Sequence, residues 1–289
     1  DIEAAKGTDE TIVETDKGEI MGSLEDGVYQ YLGIPYAVAK ERFTLAEEVE
    51  PWDGVFEATK VGAMSPQSGM LGMSAGDQEG TDNNCQNLNI WTPGIGDGEK
   101  RAVMVWLHGG GFSAGSSIEQ LAYDGENLSR SGDVVVVSVN HRLNVLGYLD
   151  LSPFGEKYRD SANAGNLDLI AALEWIRDNI EGFGGDPENV TLFGQSGGGV
   201  KVWSLLQMPE ADGLFHKGII ESGVVDPDLL GDAEDGNGRE IVKAMLAELG
   251  LEEKDVDQLE TLPYDQLAQA YENAAPKVAQ KGEYVGNHP

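Results

Sequence analysis

Two runs of the chain, residues 102–107 (AVMVWL) and 134–139 (VVVVSV), are continuously apolar, and a strand reads that way only when other elements cover both its faces. Such strands belong to parallel sheets, whose connections must cross over through helices. The intervening sequence supplies them. Between residues 165 and 180, Leu167, Ile170, Ala171, Leu173, Trp175 and Ile176 recur at mostly helical spacing and predict a helix with a buried face. Residues 190–193 predict a further strand and residues 200–206 a further helix. Strand and helix alternating through short connections is the α/β pattern.

The flanks are read more coarsely. Residues 11–13, 18–24 and 28–32 are short apolar or alternating runs separated by Asp-Lys-Gly and Glu-Asp-Gly, which predict hairpin-joined strands and a small N-terminal antiparallel sheet. Residues 62–84, rich in Gly, Ser, Met and Asn without periodicity, predict a long loop of the kind that walls a pocket. After Ile219-Ile220, the acidic, glycine-rich residues 226–239 predict a loop, followed by helices near 240–249 and 265–274. No internal repeat or linker divides the chain. Its 289 residues, 40% hydrophobic and 24% charged, suffice for one compact core.

Composition excludes several function classes. With 19 basic against 51 acidic residues the net charge is −32, a field that repels nucleic acid and anionic membranes and favours neutral or cationic ligands. The sequence holds no run of 18 apolar residues that could span a bilayer. Cys85 is the only cysteine, so no disulfide forms within the chain and no CxxC pair or cysteine-rich zinc site exists. Four dispersed histidines, without HExxH or an Asp-rich calcium loop, imply no metal, and no cofactor motif is present. The polar start from Asp1 to Glu10 fits a mature secreted protein after signal removal or a trimmed chain, and secretion is the expectation, with a cytoplasmic location as the alternative.

Two glycine motifs carry chemistry. Gly194-Gln195-Ser196-Gly197-Gly198 lies between the predicted strand 190–193 and an apolar helical run, the context that makes a GxSxG match a nucleophile elbow. Such a turn lifts Ser196 Oγ above the sheet and aims the N-terminus of the next helix at the reacting centre. A glycine-rich turn with an idle serine is the alternative. His108-Gly109-Gly110-Gly111-Phe112 directly follows the strand 102–107 and matches an HGGG loop, whose N–H groups, with that of the residue after the nucleophile, form an oxyanion hole. The expected donors are Gly110, Gly111 and Gly197. A phosphate-cradling turn is the competing reading, but GxxxxGK[ST] is missing.

With these motifs the sequence resembles the type-B carboxylesterase/lipase family, which includes bacterial p-nitrobenzyl esterases, animal carboxylesterases and cholinesterases. The resemblance runs from about Gly18 to Ser222. It passes through Tyr31-Leu32-Gly33-Ile34-Pro35-Tyr36-Ala37, Arg42-Phe43, residues 84–93 (NCQNLNIWTP), His108 to Gly115, Asn140-His141-Arg142-Leu143, Asn163-Ala164-Gly165, Phe183-Gly184-Gly185-Asp186-Pro187 and Glu221-Ser222-Gly223. It implies an α/β-hydrolase fold with a mostly parallel central sheet flanked by helices, in a domain of roughly 500 residues, well above the usual size. Residues 1–289 would then be the N-terminal portion of that domain, completed by a C-terminal segment, possibly a separate chain. It also implies a serine hydrolase that cleaves small-molecule carboxylic esters through an acyl-serine. A non-catalytic, neuroligin-like binding or adhesion protein, or an inactive fragment, is the alternative.

Family members use Ser, then Glu or Asp, then His in chain order, and neither later position falls inside this sequence. His216 and His288, the histidines after Ser196, read as solvated surface residues, so activity of this chain alone is doubtful. Ser222 matches a serine near the family's catalytic histidine, which it would support from behind; a buried structural hydroxyl is the other reading. Cys85 matches a cysteine that many relatives pair in a disulfide, but the partner position holds Ser65, so that loop is expected to be more mobile. Gln195 stands where cholinesterases carry an acid, against a quaternary ammonium substrate. Leu169 replaces a glutamine common after the position of Asp168, which puts one buried polar contact in doubt. His141 replaces a usual tyrosine and reads as structural.

Overall fold

The computed structural model describes residues 7–68, 80–118, 120, 123–223 and 236–286. In chain order its strands are β1 (Val13–Glu14), β2 (Glu19–Met21), β3 (Ser23–Glu25), β4 (Val28–Pro35), β5 (Val55–Glu57), β6 (Asn87–Thr92), β7 (Arg101–Leu107), β8 (Val135–Val139), β9 (Gly185–Gln195) and β10 (Lys217–Glu221). The α-helices are α1 (Glu126–Gly132), α2 (Asn144–Tyr148), α3 (Ala164–Asn179), α4 (Gly197–Leu205), α5 (Arg239–Glu248) and α6 (Tyr264–Ala279). Seven strands form the central sheet in the order β10-β9-β7-β8-β6-β4-β3. The first four pair in parallel, and β6, β4 and β3 continue the sheet antiparallel. This is an α/β-hydrolase-like fold, a mixed sheet flanked by helices with a smaller sheet beside it.

The expected small N-terminal sheet is present, but its membership differs from the hairpin reading. Gly22 splits the run 18–24, because a side chain there would fall 2.3 Å from the Gln30 carbonyl oxygen. Thr11 Oγ1 fixes the break, donating to Gly22 O and accepting from Gly22 N–H, both at 2.9 Å. β2 therefore stays with β1 and gains β5 as a parallel neighbour, while the β3–β4 hairpin joins the edge of the central sheet.

β8 is buried along its whole length, as its apolar run requires. β7 and β9 are less completely covered: Val103, Val105, Val190 and Leu192 lie in the main core, whereas Met104, Trp106, Thr191 and Phe193 on the other face are half-buried. The chain between residues 84 and 93 forms β6, a strand that periodicity does not reveal. Its six residues are all buried although they include Asn87, Asn89 and Thr92. Partners make this possible, since Asn89 accepts from Gly33 N–H and donates to Ser117 and Ser138 hydroxyls.

Helix α3 matches the predicted 165–180 almost residue for residue, and α5 and α6 match the two predicted near the C-terminal end, with α6 running on to Ala279. α4 starts three residues before the predicted position, because its first turn consists of glycines that carry no periodic signal. α5, α6 and α2 share a second core with Phe43. Arg42 ties that core to the N-terminal region, donating to Leu259 O at 3.1 Å and Leu262 O at 2.6 Å. Within the predicted loop 226–239, residues 226–235 lie outside the described residues, as do His288 and residues 69–79 of the predicted loop 62–84.

Buried charge is concentrated next to the C-terminal ends of β7 and β8. Arg142 and Asp168 form an ion pair with no solvent exposure on either side chain. Asp168 receives Arg142 Nε, NH2 and backbone N–H, together with Gln86 Nε2, at 2.8–3.1 Å. The contact put in doubt by Leu169 is thus complete without it, and Leu169 packs in the main core. Burial works against the Arg142 charge, but Asp168 overrides it and raises the guanidinium pKa. His108 and His141 stack with ring centroids 5.4 Å apart. Burial first, and the Lys201 ammonium second, drive both imidazoles well below their ordinary pKa of 6.5.

Two predictions follow from these groups. Asp168→Ala leaves the Arg142 charge without its partner and should destabilise the full-length protein by about 3–5 kcal/mol in urea unfolding; a loss below about 1 kcal/mol would contradict a buried, mutually dependent pair. Because the two histidines are neutral when folded but bind protons near pH 6.5 when unfolded, their contribution is present above that pH and is lost as pH falls. Between about pH 6.5 and 5.5 the pair should account for about 2 kcal/mol of lost stability, and His141→Phe should remove about half of that pH dependence.

Candidate active site

In the parallel pairing of β7 with β9, Leu107 lies beside Gly194. The loops that leave the two strands therefore start side by side at the C-terminal edge of the sheet, where open α/β sheets bind their ligands. His108-Gly109-Gly110-Gly111 leaves β7, and Gln195-Ser196 ends β9. Ser196 is exposed and has φ 55° and ψ −121°, the conformation of the first central residue of a type II′ turn. For a residue with a Cβ this costs on the order of 1–3 kcal/mol. Two backbone hydrogen bonds hold it there. Ser196 N–H donates to Glu221 O of β10 at 2.8 Å, and Ser196 O accepts the N–H of Val200 at 3.1 Å as α4 begins. The serine thus stands at the positive end of a helix, and among the described residues its Oγ has no hydrogen-bond partner.

Close backbone packing joins this turn to the glycine loop. A side chain on Gly198, in the first turn of α4, would lie 2.0 Å from Leu107 O. One on Gly197 would lie 2.3 Å from Gly111 N. Gly110 has φ 96°, and a Cβ there would meet Ala114 O at 2.3 Å. At Gly197 and Gly111 the two loops approach backbone to backbone.

The orientation of the loop follows from its carbonyls. A trans peptide unit points its C=O and its N–H in opposite directions, so a hydrogen bond that holds one aims the other. Lys201 Nζ donates to His108 O at 2.9 Å. The His108 ring lies with Nδ1 2.8 Å from Gly109 O, and since a carbonyl only accepts, the proton is on Nδ1. Gly110 O accepts from the N–H groups of Ser113 and Ala114, each at 3.2 Å. Three successive carbonyls are held, the first two from the buried side by Lys201 and His108. The N–H groups of Gly110 and Gly111 are left on exposed residues. Together with the N–H of Gly197 they find no acceptor among the described residues, and Gly111 and Gly197 are backbone neighbours. Ser196 and the three expected oxyanion donors are thus brought together.

The predicted loop 62–84 contributes to this site. Gln67 grips Gly115 with both ends of its amide, accepting its N–H at 2.8 Å and donating to its carbonyl at 3.0 Å. Asn144 Nδ2 donates to Pro66 O at 2.8 Å. Ser65 Oγ, in place of a disulfide partner for the buried Cys85, accepts Leu143 N–H at 3.1 Å. Sequence reasoning singled out neither Gln67 nor Lys201. For Lys201 a signal existed, a single lysine inside the apolar run VKVWSLL.

The remaining candidates fall elsewhere. Ser222 follows β10 beside the serine turn and is exposed in this chain. His216 precedes β10 at its opposite end, level with Val190, whose N–H donates to His216 Nδ1 at 3.0 Å. At about 3.3 Å per residue, the length of β10 separates it from Ser196. No helix among the described residues is long and apolar enough to cross a membrane.

Comparison with known proteins gives the family. The profile of the carboxylesterase family matches residues 9–288. The para-nitrobenzyl esterase of Bacillus subtilis is 41% identical over 263 residues, which cover 90% of this chain and 52% of the relative. Among solved structures, an esterase from Clostridium hathewayi that can hydrolyse aliphatic aromatic polyesters is 54% identical with a TM-score of 0.90, covering 96% of this chain and 56% of that one. The Geobacillus stearothermophilus carboxylesterase EST55 is 37% identical with a TM-score of 0.80, over 96% and 55%. The chain spans about half the length of the relatives it matches. With a family profile matched along almost its whole length, a shared fold and the two glycine motifs set side by side, the chain belongs to the carboxylesterase family.

Proposed function

We propose that the protein to which this chain belongs hydrolyses small-molecule carboxylic esters through an acyl-serine intermediate. The observation that carries this reading is an exposed, strained Ser196 next to three backbone N–H groups without acceptors among the described residues. In the first step Ser196 Oγ attacks the ester carbonyl carbon, its proton passes to a general base, and the carbonyl oxygen takes the negative charge. The N–H groups of Gly110, Gly111 and Gly197 are the donors for that oxyanion, and removing one such donor typically costs on the order of a hundredfold in rate. The alcohol then leaves with the proton, and water, activated by the same base, releases the acid. Intact nucleophile and oxyanion loops favour catalysis over a purely binding role.

The base and its orienting carboxylate are proposed to come from a C-terminal segment of the same protein, in one chain or as a second one. Two features support this. None of His108, His141 and His216 is placed to serve Ser196: the first two are buried and the third lies at the opposite end of β10. The sheet edge at β10 also has Ile219 44% exposed, unlike an internal strand of a parallel sheet. The similarity to an enzyme that can hydrolyse aliphatic aromatic polyesters makes esters with aromatic acyl groups the first substrates to try.

Ser196→Ala in the full-length protein should abolish turnover of p-nitrophenyl esters and labelling by a fluorescent fluorophosphonate, while leaving the circular dichroism spectrum unchanged. Retained turnover would overturn the assignment. The 289-residue chain alone should label far more slowly than the full-length protein, and addition of the C-terminal segment should restore the rate.

A further inference from the structure

The geometry points to Lys201 as a positioning residue of the oxyanion hole, a role that rests on the ester-hydrolase reading above. Lys201 lies in α4, five residues past Ser196. It has no solvent exposure. Burying an ammonium is costly, and its helix neighbours Val202 and Leu205 belong to the main core, so packing alone calls for an apolar side chain here. A lysine provides something an apolar residue cannot, a long charged donor that reaches out of the helix to His108 O at 2.9 Å.

That bond joins the two parts of the donor set. α4 begins with Gly197, one proposed donor, and His108 immediately precedes the loop that carries the other two. Lys201 fixes the plane of the 108–109 peptide from beneath, and the His108 ring, anchored by the same backbone, fixes the next plane through Gly109 O. The aim of Gly110 N–H depends on that second plane. Without the ammonium, His108 O would lose its charged donor in a buried site and would turn to recover one, carrying Gly109 and Gly110 with it. A displacement of this kind penalises the oxyanion of the transition state far more than the neutral ester of the ground state.

The test compares full-length wild type, Lys201→Met and Lys201→Gln, with active sites counted by fluorophosphonate titration. Lys201→Met should lower kcat per titrated site on the order of 30–100-fold while KM changes by less than about threefold. Affinity for an aryl trifluoromethyl ketone, which adds the serine to form a bound oxyanion, should fall by the same factor as kcat. Lys201→Gln, with a shorter neutral donor, should fall between the two. A merely structural lysine would reduce the number of titratable sites and leave kcat per site and ketone affinity unchanged, and that result overturns the inference. Should both variants fail to fold, the crystal structure of phosphonylated wild type decides. The inference stands if Nζ remains on His108 O while the phosphonyl oxygen faces Gly110, Gly111 and Gly197, and falls if Nζ has turned away. Absence of labelling in wild type would overturn the ester-hydrolase reading itself, a result distinct from an active wild type with an indifferent Lys201.

Discussion

Where α4 passes over the end of β7 there is no room for a side chain, and the arrangement of the site depends on that closeness. Gly198 lies so near Leu107 O that a Cβ would overlap it. The contact sets the height of the helix above the sheet, and with it the position of Ser196 at the helix N-terminus. It also brings Lys201 within reach of His108 O and sets Gly197 beside Gly111. An alanine at Gly198 would lift the first turn of α4 away from the strand end. Serine turn, glycine loop and the lysine between them form one mechanical unit.

The electrostatics of the chain are inverted between surface and interior. The whole sequence carries a net charge of −32, yet two cations, Arg142 and Lys201, lie inside without solvent exposure. Beside them two stacked imidazoles, His108 and His141, are held neutral by their surroundings. Arg142 is neutralised by Asp168 within hydrogen-bonding distance, while Lys201 directs a bond at the backbone of the loop. Surface charge is screened over about 8–10 Å at physiological salt, so most of the acidic exterior acts only weakly at Ser196.

Much of the fold and the core of the site were legible in the sequence, because they rest on local signals. Uninterrupted apolar runs announce β7 and β8, helical spacing announces α3, and the glycines around Ser196 and after His108 announce turns that only small residues permit. What escaped reading depends on partners distant in sequence. β6 is buried while carrying Asn87 and Asn89, and only the Gly33, Ser117 and Ser138 partners of Asn89 show why. The split at Gly22 depends on Gln30 and Thr11, and the grip of Gln67 on Gly115 spans 48 residues. Lys201 was overlooked for a related reason, since a lysine in a helix is ordinarily solvated and its burial appears only when β7 is laid against α4.

Three consecutive glycines are among the most pliable sequences a chain can contain, since glycine loses more conformational freedom on ordering than any other residue. Here Gly109, Gly110 and Gly111 are followed by a carbonyl-to-amide turn at Gly110 and preceded by two side-chain anchors, Lys201 and His108. The ordering entropy of that segment is consequently met once, when the chain folds, and not again when a ligand arrives. On the proposed ester-hydrolase reading, a substrate carbonyl would meet dipoles already oriented, so the activation barrier would contain little reorganisation of the loop, and temperature would act on the rate chiefly through bond making and breaking.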